Sequence, residues 1–126
     1  MTQTDRFGKR PDDQRMRWLR AGEVPTLGHW FRAAGYDTHY DGKWHVSHAD
    51  LHTSDGTVLA TNDARGRVHP EAVQTYLDAD PLGPFGFSGW VGPEPHQMPV
   101  MANSGLRRDP LVADRVVAWL EDRYRR

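Results

Sequence analysis

Residues 80–99 constrain the fold more than any other stretch of this chain. Four glycines (83, 86, 89 and 92) and five prolines (81, 84, 93, 95 and 99) fall there, with Phe85, Phe87 and Trp90 between them. Proline cannot donate to a helix or sheet ladder, and glycine this frequent breaks any regular element. The segment is therefore predicted to be a long ordered loop whose aromatics pack against something, a pocket wall being one use. A loop of that length in a chain of 126 residues points to a piece of a larger fold.

Composition narrows the function classes. Sixteen basic and seventeen acidic residues leave a net charge of −1, without the basic footprint expected for nucleic acid or an anionic membrane. Mean hydropathy is −0.77, so the apolar core is lean. The absence of cysteine excludes disulfides, thiolate metal sites and a cysteine nucleophile. Residues 1–20 are polar and lack the apolar region of a signal peptide, and no apolar run reaches membrane-spanning length. A cytoplasmic location is the expectation.

Local signals divide the chain into an irregular polar leader, 1–25, and a folded part, 26–126. Thr26 is a good N-cap, and Leu27, Trp30, Phe31 and Ala34 follow at helical spacing. Gly35 is the expected residue after the helix, and the alternation from Tyr36 to His45 predicts a short strand. Helix, glycine and strand in succession make half of an α/β repeat, with a parallel sheet as context. Ser54-Asp55-Gly56-Thr57 is a turn signal beside a brief strand at Val58-Leu59-Ala60, and His69–Leu77 reads as a helix entered at Pro70. Near the end, Asp109 as N-cap and Pro110 at the first helical position open an amphipathic helix. Its apolar stripe is Leu111, Val112, Val116, Trp119, Leu120 and Tyr124.

Chemistry concentrates at Gly42-Lys43-Trp44-His45. The basic residues are fourteen Arg and two Lys, so a lysine at the end of this predicted strand is unusual for the chain. Lysine offers a compact point charge where arginine offers a planar fork. On a continuous strand Lys43 and His45 would share one side and Trp44 would take the other. An ammonium beside an imidazole suits a tetrahedral oxyanion: one holds charge, the other donates or protonates a leaving group. The competing structural reading is a surface lysine and a capped histidine flanking a buried Trp44. His39, His45, His48 and His52 crowd the same region with Asp37, Asp41 and Asp50. The segment holding His48 and His52 does not read as a helix, and no native metal site is expected. Ser88-Gly89 and Ser104-Gly105 lack the strand–elbow–helix context of a serine hydrolase, and no phosphate-binding glycine pattern is present.

Thr26-Leu27-Gly28-His29-Trp30-Phe31-Arg32-Ala33-Ala34-Gly35-Tyr36-Asp37-Thr38, followed by Gly42-Lys43-Trp44-His45, resembles the sulfatase family of the alkaline phosphatase superfamily. Phe85-Gly86-Phe87-Ser88-Gly89-Trp90 looks like that family's Gly-Phe-aromatic segment. Leu111–Tyr124, with Asp114-Arg115, looks like the helix before the next core strand. The resemblance covers about residues 16–126. It implies a partial alkaline-phosphatase-like α/β sandwich with a mostly parallel sheet, incomplete in this chain. It also implies hydrolysis of sulfate esters by a formylglycine nucleophile with a divalent cation, usually calcium. Lys43 and His45 take the catalytic and substrate-binding roles, and Trp90 joins them as a substrate-binding candidate.

The departures are informative. The nucleophile comes from a Cys/Ser-x-Pro/Ala-x-Arg motif expected upstream of Thr26, where residues 1–25 hold neither Cys nor Ser. Asp12-Asp13 lacks the apolar strand that should precede the family's metal-binding pair, and the distal ligands would lie beyond Arg126. The chain is thus expected to be an internal piece, from a truncated or split reading frame, without sulfatase turnover of its own. A non-catalytic oxyanion-binding module, and a piece of a phosphonate or phosphodiester hydrolase of the same superfamily, are the alternatives.

Overall fold

The structure, a computed structural model, describes residues 18–94 and 105–125. Most of the predicted leader, and residues 95–99 of the Gly/Pro-rich segment, lie outside the described residues.

The first helix, α1 (Leu27–Ala33), forms as its local chemistry dictates. Thr26 caps it in an extended conformation. The His29 N–H donates to Thr26 Oγ1 at 3.4 Å and the Thr26 N–H donates back to His29 Nδ1 at 3.0 Å, so an imidazole completes the capping box. At the other end Gly35, at φ 87°, donates to the Arg32 carbonyl and Tyr36 donates to that of Phe31, a Schellman closure. The second helix, α2 (Pro70–Ala79), has proline at its N-terminal end and stops at Asp80 in a left-handed conformation, close to the predicted His69–Leu77. The turn at 54–57 is also as predicted, closed by the Thr53 N–H on the Thr57 carbonyl at 2.8 Å.

The predicted strands are reduced to bridges. Where a strand was expected from Tyr36 to His45, the chain makes one parallel bridge, His39 with Ser88. Ser88 donates to the Thr38 carbonyl and receives the Tyr40 N–H, both at 2.9 Å. The pairing cannot extend: Gly86 and Gly89 on one side, and Gly42 and His45 on the other, have positive φ. Val58–Ala60 likewise gives only the antiparallel bridge between His52 and Val58, with Asn62 and Val68 forming a third. Among the described residues there is no sheet.

Among its described residues, 80–94, the Gly/Pro-rich segment lacks strands and long helices, as expected, apart from one 3-10 turn at Gly83–Phe85. Its role differs from the one foreseen. Leu82, Phe85, Trp90 and Val91 are themselves the core, joined by Leu19, Ala49 and Tyr76. The turns place successive aromatics inward without a ladder, and Tyr76 of α2 meets Trp90 edge to face at 5.7 Å between ring centroids.

The last helix, α3 (Gly105–Tyr124), starts earlier than predicted and holds Pro110 inside it rather than at its first position. Leu111, Val112, Val116 and Trp119 are half-buried, but Leu120 and Tyr124 of the predicted stripe are exposed. Polar contacts hold α3 as well: Trp119 stacks on His39 at 4.6 Å, and Arg115 forks onto Asp41 at 2.6 and 2.8 Å. No described helix is long and apolar enough to cross a membrane.

Candidate oxyanion site

Two left-handed residues shape the Gly42-Lys43-Trp44-His45 loop. Gly42 sits at φ 98°, which glycine adopts freely, and His45 at φ 48°, which a branched or bulky residue avoids. The loop is therefore bent at both ends. Strand alternation, which would have set Lys43 and His45 side by side, does not apply to it.

Buried groups hold the loop from below. Glu94 is only 2 % exposed, and its Oε1 accepts the backbone N–H of both Trp44 and His45 at 2.7 Å. The Glu94 N–H donates to Asp50 Oδ1 at 2.6 Å. Trp90, 1 % exposed, donates its indole N–H to the Gly42 carbonyl at 2.8 Å. Tyr40 donates its hydroxyl to the Lys43 carbonyl at 2.5 Å, and burial followed by the Glu94 carboxylate pushes that phenol up from its usual range. The Trp44 indole donates to Ser47 Oγ at 2.6 Å while its ring packs near Phe85 and Phe87. The loop backbone is thus fixed at four consecutive residues.

The predicted site residues occupy different environments. Lys43 is exposed, and among the described residues no carboxylate pairs with it. His45 is half-buried, its ring edge-on to Trp18 at 5.5 Å between centroids. Trp90 lies in the core beneath the loop, where its indole fixes Gly42 and its ring is closed to solvent. Lys43 and His45 share one held loop; Trp90 supports that loop from inside.

The structure adds a buried charge cluster that motif reading missed. Arg108 and Arg115 are two turns apart on α3, and Arg108 lies within electrostatic reach of Glu94, Asp41 and Asp50. Burial pulls the Arg108 guanidinium below its ordinary range. Asp41, whose side chain is fully buried, takes the Arg115 fork and also accepts the Gly42 N–H at 2.7 Å. A spacing of seven between two arginines is the one sequence signal that could have flagged this face. Glu94 gave none, since it sits among prolines.

Among the described residues no group of three or more His, Asp or Glu side chains could hold an ion, and His48 and His52 are not on a helix. The formylglycine motif is equally unmatched in the sequence: Ser47-His48-Ala49 has Leu51 where arginine is needed, and Ser104, with Arg108 at the right spacing, has Leu106 where proline or alanine is needed.

The family model described as Sulfatase matches residues 2–123, nearly the whole chain. Searches of curated proteins and of solved structures return no match.

Proposed function

Since this chain belongs to the sulfatase family, we propose that it carries the sulfate-contacting part of a sulfuric ester hydrolase, with Lys43 and His45 as the contacts. Family membership implies an alkaline-phosphatase-like α/β fold. The observation that carries the reading is the held loop. Its backbone is fixed by Glu94, Trp90 and Tyr40, yet the Lys43 ammonium is exposed and has no carboxylate partner among the described residues. A fixed backbone under an unpaired cation is a preorganised anion site, because little ordering remains when the ligand arrives. Lys43 would place a point charge on the sulfate oxygens, and His45 would donate to one of them.

The same residues cannot replace a nucleophile. Lys43 and His45 steady charge and move protons, whereas the bond to sulfur needs an attacking oxygen. No step is assigned to calcium or formylglycine, whose ligands and motif the described residues do not supply. The chain by itself therefore binds oxyanions without turnover. The non-catalytic oxyanion-binding module is the second reading, favoured by the exposed Lys43 on a held loop.

The test is thermal unfolding in rising sulfate. The midpoint should rise in wild type and rise much less in Lys43→Ala, with His45→Ala intermediate. An aryl sulfate with calcium should show no turnover. Equal sulfate stabilisation in wild type and Lys43→Ala would sink the site, and turnover abolished by Lys43→Ala would sink the non-catalytic reading.

A further inference from the structure

Three contacts tie α3 to the segment that enters the signature loop, and they share one register. Asp37 pairs with Arg123. His39 stacks on Trp119 at 4.6 Å between centroids, with the ring planes 17° apart. Asp41 takes the Arg115 fork at 2.6 and 2.8 Å. The segment advances by two residues at each step while the helix retreats by four. Two extended residues span about 6.6 Å and four helical residues about 6 Å, so the two rows stay in step. The residues between face the other way: Thr38 donates to the Gly86 carbonyl, and Tyr40 meets Phe87.

Apolar packing holds α3 only lightly. Among its described side chains Arg108 alone is buried, and Val117, Leu120 and Tyr124 are exposed. The three rungs are unequal. The Asp37–Arg123 pair is half exposed, where an ion pair contributes little. Both nitrogens of the His39 ring are buried without a hydrogen-bond partner, which offsets part of what the stack contributes. The Asp41 rung is the firm one, because that carboxylate is fully buried and receives two guanidinium N–H groups. It is also the rung that reaches the loop. The Asp41 oxygen that accepts from Arg115 Nη2 accepts the Gly42 N–H as well, at 2.7 Å.

Resting on the reading of Lys43 and His45 as the sulfate contacts, we infer that α3 is a releasable clasp on the signature loop. Docked, it fixes Asp41 and through it Gly42, the residue before Lys43. Released, it frees the entry of the loop, and anion affinity falls. Arg115 and Asp41 are then positioning residues, which act on the ligand through the backbone that carries Lys43. A helix held by few apolar contacts opens locally, without unfolding of the whole. Linkage makes the effect reciprocal: an anion at Lys43 favours the docked helix by the same factor by which docking favours the anion.

Amide hydrogen exchange and calorimetric titration with inorganic sulfate, both on the full chain, test the clasp. In wild type, saturating sulfate should slow exchange of the α3 amides from 115 to 123 about fivefold relative to chloride at equal ionic strength, the low end of couplings between sites. Trp119→Ala should weaken sulfate binding by a similar factor, although that ring is on α3 and not on the loop. Trp119→Phe keeps a stacking face and should restore the affinity. Arg115→Ala should weaken binding too and speed exchange at Gly42. A Trp119 with a merely structural role would lower the thermal midpoint of Trp119→Ala and leave the sulfate affinity of the folded chain as it is. That result, together with lost binding in Lys43→Ala, overturns the clasp and leaves the loop standing. Unchanged α3 exchange at saturating sulfate overturns the clasp without any variant. Unchanged sulfate binding in Lys43→Ala overturns the loop reading itself, and the clasp with it.

Discussion

At the residue scale, Glu94 holds more of the loop than either Lys43 or His45 does. One carboxylate oxygen satisfies two successive backbone donors of the loop, and its removal leaves both facing a dry interior. Glu94→Ala should therefore cost about 2–4 kcal/mol of stability and weaken sulfate binding, measured by urea unfolding and calorimetry. Glu94→Gln keeps an acceptor oxygen in place and should recover most of the loss. Equal losses for Ala and Gln would show that the charge, not the acceptor, matters. Of this chemistry only the exposed end was legible in the sequence. Lys43 and His45 are marked by rarity and by resemblance, whereas the acceptor that aims them is a glutamate among prolines, visible only once residues 44 and 94 are neighbours.

At the scale of elements, legibility follows locality. α1, its cap, its glycine exit, the turn at 54–57 and α2 are each decided within a few residues, and each lies where the sequence signals put it. The strand from Tyr36 failed because its extension depends on left-handed residues in two distant segments, and the start of α3 moved because Pro110 is accommodated inside it. One close approach of two backbones is also non-local. Gly28 of α1 rests on Gly86, and a Cβ on Gly28 would lie 2.3 Å from the Gly86 carbonyl oxygen. Around that crossing Thr26 donates its hydroxyl to the Phe85 carbonyl and Thr38 donates to that of Gly86 at 2.6 Å. Gly28→Ala should separate α1 from the 85–86 turn and cost about 1–3 kcal/mol, despite alanine's better helix propensity. A thermal midpoint at or above that of wild type would show that the crossing gives way freely.

At the scale of the molecule, His39 ties three regions together. It stacks on Trp119 of α3, lies at the parallel bridge, and crowds Gly89, where a Cβ would stand 2.2 Å from its ring. Burial lowers its pKa, with Asp41 opposing and Arg115 reinforcing the shift. A histidine held neutral in the fold but free to charge when unfolded makes the unfolded state bind more protons below its ordinary pKa of 6.5. Its effect on stability is therefore absent well above that pH and grows as the pH falls through it. Urea midpoints should decline from pH 7.5 to 5.5 in wild type and decline less in His39→Phe. Equal slopes would remove His39 as the cause. The outer face of α1 is apolar: Leu27 and Trp30 are 71 % and 67 % exposed.

The hydrogen bonds that shape the signature loop have a temporal consequence. Glu94 lies 50 residues from Trp44, Trp90 lies 48 from Gly42, and the tie from Thr26 to Phe85 spans 59. Long closures are slow to find and bring no stabilisation until both ends meet. As the chain emerges during synthesis, the local signals of α1 are complete early, but a helix of seven residues is marginal until its packing partners arrive. The backbone of the loop is fully held only once residues 90 and 94 have been made and have met it.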